Sequence, residues 1–145
     1  MLITLEKIDK WVLKTSIFYI IKRMVIKSIK EVVIHGKGQG HKFGMPTANQ
    51  KLKNDDIKHG VYASKTYVDG KEYISITNVG LRPSVDNDTR CNVETLILDF
   101  SGDLYGKVIQ VDLHYFLRPT MKFNGLSEVK KQLEIDAKKA RELFL

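Results

Sequence analysis

The residues with most chemical promise lie in one stretch, Gly36-Lys37-Gly38-Gln39-Gly40-His41-Lys42-Phe43-Gly44-Met45-Pro46-Thr47-Ala48-Asn49. Four glycines within nine residues leave the backbone free to take positive φ, and they let a ligand approach the main-chain N–H groups closely. Pro46 fixes its own φ and restricts its predecessor, so Thr47 and Asn49 are expected to project from a stiffened corner. Two neutral side-chain oxygens beside a row of N–H donors and a lysine suit Mg²⁺ held against phosphate. That ion takes oxygen ligands, keeps several waters and is usually shared with the phosphates of a substrate. The stretch is not a Walker A loop, because no Gly-Lys-Ser/Thr closes it, and it is not G-x-G-x-x-G. On spacing alone it reads equally as a glycine-rich loop ending in a Pro turn.

Glu94 is the second residue of interest. Strand alternation puts it on the same side as Leu96, Leu98 and Phe100. A carboxylate sharing a face with three large apolar groups is either at the open end of its strand or partly desolvated. Desolvation of that kind would favour general-base chemistry near neutrality. A rim glutamate in a salt bridge or a cross-strand hydrogen bond is the competing reading.

These groups need a scaffold, and the chain supplies strand signals. Residues 26 to 34 read as a strand leading into the glycine stretch, and 51 to 59 as charged and turn-like. Residues 61 to 67 and 71 to 77 flank Asp69-Gly70, a strong hairpin signal. Residues 78 to 88, rich in Asn, Asp, Pro and Gly, read as a loop, and 92 to 100 as a further strand turned at Ser101-Gly102-Asp103. In residues 107 to 117, Ile109, Val111, Leu113, Tyr115 and Leu117 alternate onto one face. Turn-punctuated strands with one solvent face each indicate an antiparallel barrel or sandwich. Leu126, Val129, Leu133, Ala137, Ala140 and Phe144 then form one helical stripe, with Ser127 as the expected N-cap.

Residues 2 to 24 place Leu2, Leu5, Ile8, Val12, Ile17, Ile20 and Met24 at helical spacing with basic residues between them. This amphipathic extension is too short in its apolar run to span a bilayer, and it lacks the cleavage site of a signal peptide. A basic amphipathic helix can touch a membrane or a partner, or pack on its own domain.

The chain has 145 residues, 43% of them hydrophobic, and one cysteine. That is one domain's worth, long enough for a core and globular in composition. Cys91 rules out an internal disulfide framework and fits a reducing cytosol. A net charge of +7 suits an anionic partner, either nucleotide phosphate or nucleic acid. Lysine and arginine are spread along the chain with no block of five, which argues against a nucleic-acid footprint.

The segment Gly36 to Asn49 resembles the G-x-G-x-G-x-x-x-G-x-P-T-A-N signature of riboflavin kinases (flavokinases). The resemblance continues in order through Gly60-Val61-Tyr62-Ala63, Asn78-Val79-Gly80-Leu81-Arg82-Pro83 and Glu94-Thr95 leading to Asp99-Phe100. It ends with Gly102-Asp103-Leu104-Tyr105-Gly106, Leu117-Arg118-Pro119 and the last helix. It covers residues 30 to 145 and is similar to the kinase domain of bacterial bifunctional riboflavin kinase/FMN adenylyltransferases. It implies an all-β fold, a compact six-stranded antiparallel Greek-key-like barrel with flanking N- and C-terminal helices. Residues 1 to 24 would then be an extension to a kinase-like domain of residues 25 to 145.

The resemblance also implies an activity. ATP and riboflavin would give ADP and FMN, with Mg²⁺ or another divalent cation, in a cytoplasmic monomer with no nucleic-acid or membrane partner. Glu94 would match the base that takes the ribityl 5′-hydroxyl proton. Thr47 and Asn49 would match the metal ligands. Gly36, Gly38, Gly40, His41, Lys42, Thr47, Asn78 and Arg82 would border the nucleotide, and Tyr105, Arg118 and Phe123 the flavin. Departures from the family pattern are His41 in place of a basic residue, Phe43 and Met45 in place of Leu and Phe, Ser84 in place of Thr, and Thr120 where an acidic residue is common. The competing classes are a non-catalytic flavin- or nucleotide-binding regulatory module and a nucleic-acid-binding barrel.

Overall fold

A computed structural model describes residues 24–36, 46–53, 57–81 and 90–145, together with Ser16 and Ile20. Most of the N-terminal helix expected over residues 2 to 24 therefore lies outside the described residues. Six strands follow in chain order: β1 (Lys27–Val32), β2 (Thr47–Leu52), β3 (Gly60–Val68), β4 (Lys71–Leu81), β5 (Cys91–Ile97) and β6 (Val108–Arg118). One helix, α1 (Leu126–Leu143), closes the chain.

All strand pairs are antiparallel, in the order β1-β6-β3-β4-β5-β2. Strands β3, β4 and β5 form a meander, and β6 returns to lie beside β3, which is the Greek-key connection. The hairpin between β3 and β4 turns at Asp69 (φ 49°) and Gly70 (φ 79°). Both central residues have positive φ, as the type I′ turn that matches strand twist requires. At the other extreme of the sheet, Ile34 N–H donates to Asn49 O at 2.8 Å, joining the ends of β1 and β2. Gln50 reinforces that seam from inside. Its Nε2 donates to the Glu31 carbonyl at 2.9 Å and the Ile109 carbonyl at 3.2 Å. The sheet thus closes almost completely into a barrel.

The barrel interior is apolar at its two ends and polar in its middle. Ile29, Tyr62, Val79, Val93, Val111 and Leu113 are among its buried side chains. Between them run five fully buried hydroxyls linked in a chain. Thr66 meets Ser75 at 2.8 Å, Ser75 meets Ser64 at 2.7 Å, Ser64 meets Thr77 at 2.7 Å, and Thr77 meets Thr95 at 3.0 Å. Every member has a partner, so the desolvation cost of a buried hydroxyl is met.

Helix α1 covers the outside of β3, β4 and β5. Ala137, Ala140, Leu143 and Phe144 pack against Val61, Ala63, Ile74, Ile76, Leu96 and Leu98. Strand β3 is consequently buried on both faces from Gly60 to Ser64, and only its outward residues Lys65 and Tyr67 are partly exposed, rather than having the single solvent face the sequence pattern suggests. The helix carries one buried acid, Asp136. Arg118 at the end of β6 donates to it from Nε (3.1 and 3.2 Å) and from an Nη (2.8 Å). The N-cap is Gly125 rather than Ser127, and no side chain caps the helix. Glu128, in its first turn, instead accepts the Asn124 N–H at 3.0 Å.

Three strand expectations change. Thr47 to Leu52 is a regular strand rather than a corner followed by a turn, because β5 pairs with it along its whole length. Asn78 to Leu81 belongs to β4, held between β3 and β5, where a loop was expected. The single face of β6 is interrupted as well. Ala63 pairs with Tyr115 but Ser64 pairs with Leu113, so His114 is an extra residue. The bulge reverses the alternation. Ile109, Val111 and Leu113 point into the barrel, whereas Tyr115 and Leu117 pack under the helix.

Candidate functional site

The register of β2, β5 and β4 builds a polar patch on the outer wall of the barrel. Glu94 stands directly opposite Asn49 on one side and Asn78 on the other. Directly opposed residues project to the same face with Cβ atoms about 4.5–5.5 Å apart, so the three side chains form one row. Thr47 is diagonal to Glu94 on β2, and its hydroxyl donates to Glu94 Oε1 at 2.9 Å. Thr47, Asn49 and Glu94 thus share one face of the sheet.

Asn49 is held from two directions. Its Nδ2 donates to the Thr47 carbonyl at 3.4 Å. Gly36 lies against its amide so closely that a Cβ at residue 36 would run into it. Glycine there allows the backbone leaving β1 to pass over the Asn49 side chain. With Nδ2 turned inward, the Asn49 Oδ1 is the amide atom left for a ligand.

Glu94 is exposed, and its face is shared with Leu96 and Leu98 but not with Phe100. Phe100 packs with the barrel interior against Tyr73, because the chain leaves β5 at Ile97 and turns through Asp99 (φ 56°). The structure gives neither environment expected for this carboxylate: Glu94 is in the middle of β5 rather than at its open end, and it is exposed rather than desolvated. It sits where the polar part of the wall meets the helix-covered part.

The row continues past Asn78 through Val61 to Arg118. Arg118, expected at the flavin, has its guanidinium bound to Asp136, with an Nη also donating to the Pro119 carbonyl at 3.2 Å. Just beyond it Thr120 returns to the patch, donating from Oγ1 to Asn78 Oδ1 at 3.2 Å. Phe123 is half-buried ahead of α1. Tyr105 is 54% exposed and stacks on His35, with ring centroids 3.6 Å apart and planes inclined by 16°. Because His35 precedes Gly36, Tyr105 stands at the root of the glycine stretch. Gly38, Gly40, His41, Lys42, Arg82 and Ser84 lie outside the described residues.

Sequence reasoning missed two contributors to this wall. Lys51 lies on the Asn49 face of β2, opposite Asn92, with its ammonium nitrogen buried. It was masked by the reading of residues 51 to 59 as a turn. Asp136, which fixes Arg118, carried a usable signal: an acid next to Ala137 inside the apolar stripe of a helix.

Chemically, Thr47 Oγ1, Asn49 Oδ1 and the neighbouring carboxylate form an all-oxygen set suited to a hard cation. No group of three or more His, Cys, Asp or Glu side chains gathers among the described residues, so protein carboxylates there do not enclose a metal by themselves. The set fits a cation completed by water and by the phosphates of a ligand. No helix among the described residues is long and apolar enough to cross a membrane.

Comparison with known proteins bears on the family and the fold. Residues 26–144 match the Flavokinase family model, described as riboflavin kinase. A bifunctional riboflavin kinase/FMN adenylyltransferase of Listeria monocytogenes is 36% identical over 117 residues, covering 79% of this chain and 37% of that protein. The chain therefore spans little more than a third of that relative's length. Among solved structures, one described as a macrolide-efflux protein from Streptococcus pneumoniae superposes with a TM-score of 0.71 at 27% identity, covering 79% of this chain and 38% of the other. Riboflavin kinase from Trypanosoma brucei superposes with a TM-score of 0.56 at 19% identity, covering 80% and 78%, a likeness of fold. The family takes ATP as co-substrate together with a divalent cation.

Proposed function

Since the chain belongs to the riboflavin kinase family, we propose that it transfers the γ-phosphoryl group of ATP to the ribityl 5′-hydroxyl of riboflavin, giving FMN and ADP. The observation that carries this reading is the meeting of Thr47, Asn49 and Glu94 on one outer wall of the barrel, with Thr47 bonded to Glu94 at 2.9 Å.

Thr47 and Asn49 are the residues that would hold Mg²⁺. The ion would neutralise phosphate charge as the transferring group passes between oxygens. Gly36 and the glycines after it would offer main-chain N–H groups to the phosphates, joined by His41, Lys42 and Arg82. Glu94 is anchored through Oε1, which leaves Oε2 to accept the proton of the 5′-hydroxyl. As that oxygen bonds to the γ-phosphorus, the bond from phosphorus to the bridging β,γ-oxygen breaks and ADP leaves. Because Glu94 is exposed rather than desolvated, alignment of the two oxygens about phosphorus contributes more than the strength of the base. Tyr105 and Phe123 supply flat apolar surface for the isoalloxazine ring, with Arg118 shaping the same edge through its hold on α1. A single cysteine, Cys91, buried in the barrel, supports a reducing, cytoplasmic setting for the enzyme.

The test is direct. Folded protein incubated with riboflavin, ATP and Mg²⁺, then analysed by HPLC, is expected to yield FMN in proportion to time and enzyme. No FMN across Mg²⁺, Mn²⁺ and Zn²⁺ would defeat the proposal.

A further inference from the structure

The contact between Thr120 and Asn78 joins two segments that are 42 residues apart in the chain, at the edge of the wall that carries Glu94. A side-chain amide has one acceptor end and one donor end. Whichever end faces Thr120 therefore decides which end is left for the patch. The Thr120 hydroxyl donates to Oδ1, so the NH₂ group of Asn78 is the end left over.

That choice has consequences at the neighbouring strand, where Glu94 is the residue directly opposite. An NH₂ group beside a carboxylate is attractive. An amide oxygen beside it would be one more acceptor with no proton to share. Glu94 already receives the Thr47 hydroxyl on Oε1 from β2, and Asn78 stands opposite it on β4, the strand on the other side.

We propose that Thr120 is a positioning residue for phosphoryl transfer. Its hydroxyl holds Asn78 with the NH₂ group toward the acceptor oxygens over Glu94, those of the carboxylate and of the ribityl hydroxyl it activates. The inference rests on the riboflavin kinase reading and adds to it an orienting device supplied by the segment after β6.

The experiment compares Thr120→Val and Thr120→Ser in the full chain, with Asn78→Ala alone and combined with Thr120→Val. Valine keeps the shape of threonine and removes the hydroxyl. It is expected to lower kcat/KM for riboflavin about five-fold, the range of one lost hydrogen bond, with KM for ATP and Tm unchanged. Serine should restore the rate to within about two-fold. In the Asn78→Ala background, Thr120→Val should have no further effect. Should the valine variant not fold, Thr120→Ala replaces it. Unchanged kinetics in the valine variant, or a loss of equal size in the absence of the Asn78 amide, would overturn the proposal. A second readout does not depend on turnover. The Asn78 NH₂ proton pair, assigned in a ¹⁵N-labelled sample by its disappearance in Asn78→Ala, should move in Thr120→Val and stay in Thr120→Ser. If wild-type protein made no FMN, the kinase reading would fail while this spectrum still decided whether Thr120 orients the amide.

Discussion

Replacing Asp136 by alanine should be among the most destabilising single changes on the helix, and the size can be worked from its surroundings. The carboxylate is fully buried and receives three hydrogen bonds from Arg118 and one from Gln132 at 3.0 Å. The Arg118 side chain is 16% exposed, so removing the acid strands a guanidinium in a largely dry place. Breaking a buried pair from one side costs about 3–5 kcal/mol, mostly as the penalty for the charge left behind. With an unfolding entropy of about 2.1 cal/mol/K per residue over 145 residues, that corresponds to a fall in Tm of roughly 10–16 °C. The assay is a thermal melt followed by circular dichroism, with urea unfolding to obtain the free energy. A double replacement, Arg118→Met with Asp136→Leu, removes both charges and should recover most of the loss. A cost below about 1 kcal/mol for Asp136→Ala, typical of a solvated pair, would refute the reasoning. So would an undiminished cost in a background that already lacks Arg118. The double variant also separates two roles. If Arg118 serves the site through the helix, the repacked protein keeps its KM for riboflavin. If it contacts the flavin, KM rises although stability has returned.

Three further outcomes are expected. Glu94→Gln should lower turnover by a factor of about 100 or more while leaving nucleotide affinity in place; a rate within about threefold of wild type would remove Glu94 from the base role. His114, extruded at the β6 bulge, has its pKa pushed down chiefly by burial and then by the Lys65 charge, against smaller opposing effects from Asp112, Met24 and Glu72. A histidine held neutral in the fold contributes stability that is present above its unfolded value, about 6.5, and lost as pH falls below it. Urea midpoints should therefore drop between pH 7.5 and 5.5 more steeply in wild type than in His114→Phe, and equal slopes would contradict the assignment. At Gly60, φ is +147° and a Cβ would lie 2.6 Å from the Arg118 carbonyl and against the Phe116 ring. Gly60→Ala should cost about 2 kcal/mol or more, read by the same melts, and a neutral result would show that the β3 end can shift.

Much of this was legible in residue types, and less in their spacing. The hairpin at Asp69-Gly70 could be read from the sequence because the turn chemistry is local. Strand β2 could not, because Thr-Ala-Asn-Gln-Lys-Leu alternates without an apolar face: its interior set, Ala48, Gln50 and Leu52, includes an amide. Gln50 belongs inside only because the carbonyls of Glu31 and Ile109 are there to receive it, and those are 19 and 59 residues away. The tail of β4 failed for a similar reason, since Asn78 and Gly80 look like loop residues until β3 and β5 flank them. Bulges are invisible to period-two counting, which is how Tyr115 and Leu117 were assigned to the wrong side. In the site, Thr47, Asn49 and Glu94 were identifiable as chemistry, but the flank formed by Asn78 and Thr120 depends on a register that only the folded sheet supplies.

The buried hydroxyls have a consequence for the outer wall. Strands β4 and β5 are separated by residues 82 to 90 of the sequence, and Thr77 and Thr95 meet inside the barrel. A slide of two residues in either direction would set Thr77 opposite Val93 or Ile97. That single link acts as a detent, and Asn78 and Glu94 ride on the residues next to it. The alignment of amide and carboxylate outside is thus gauged by a pair of threonines sealed inside the barrel.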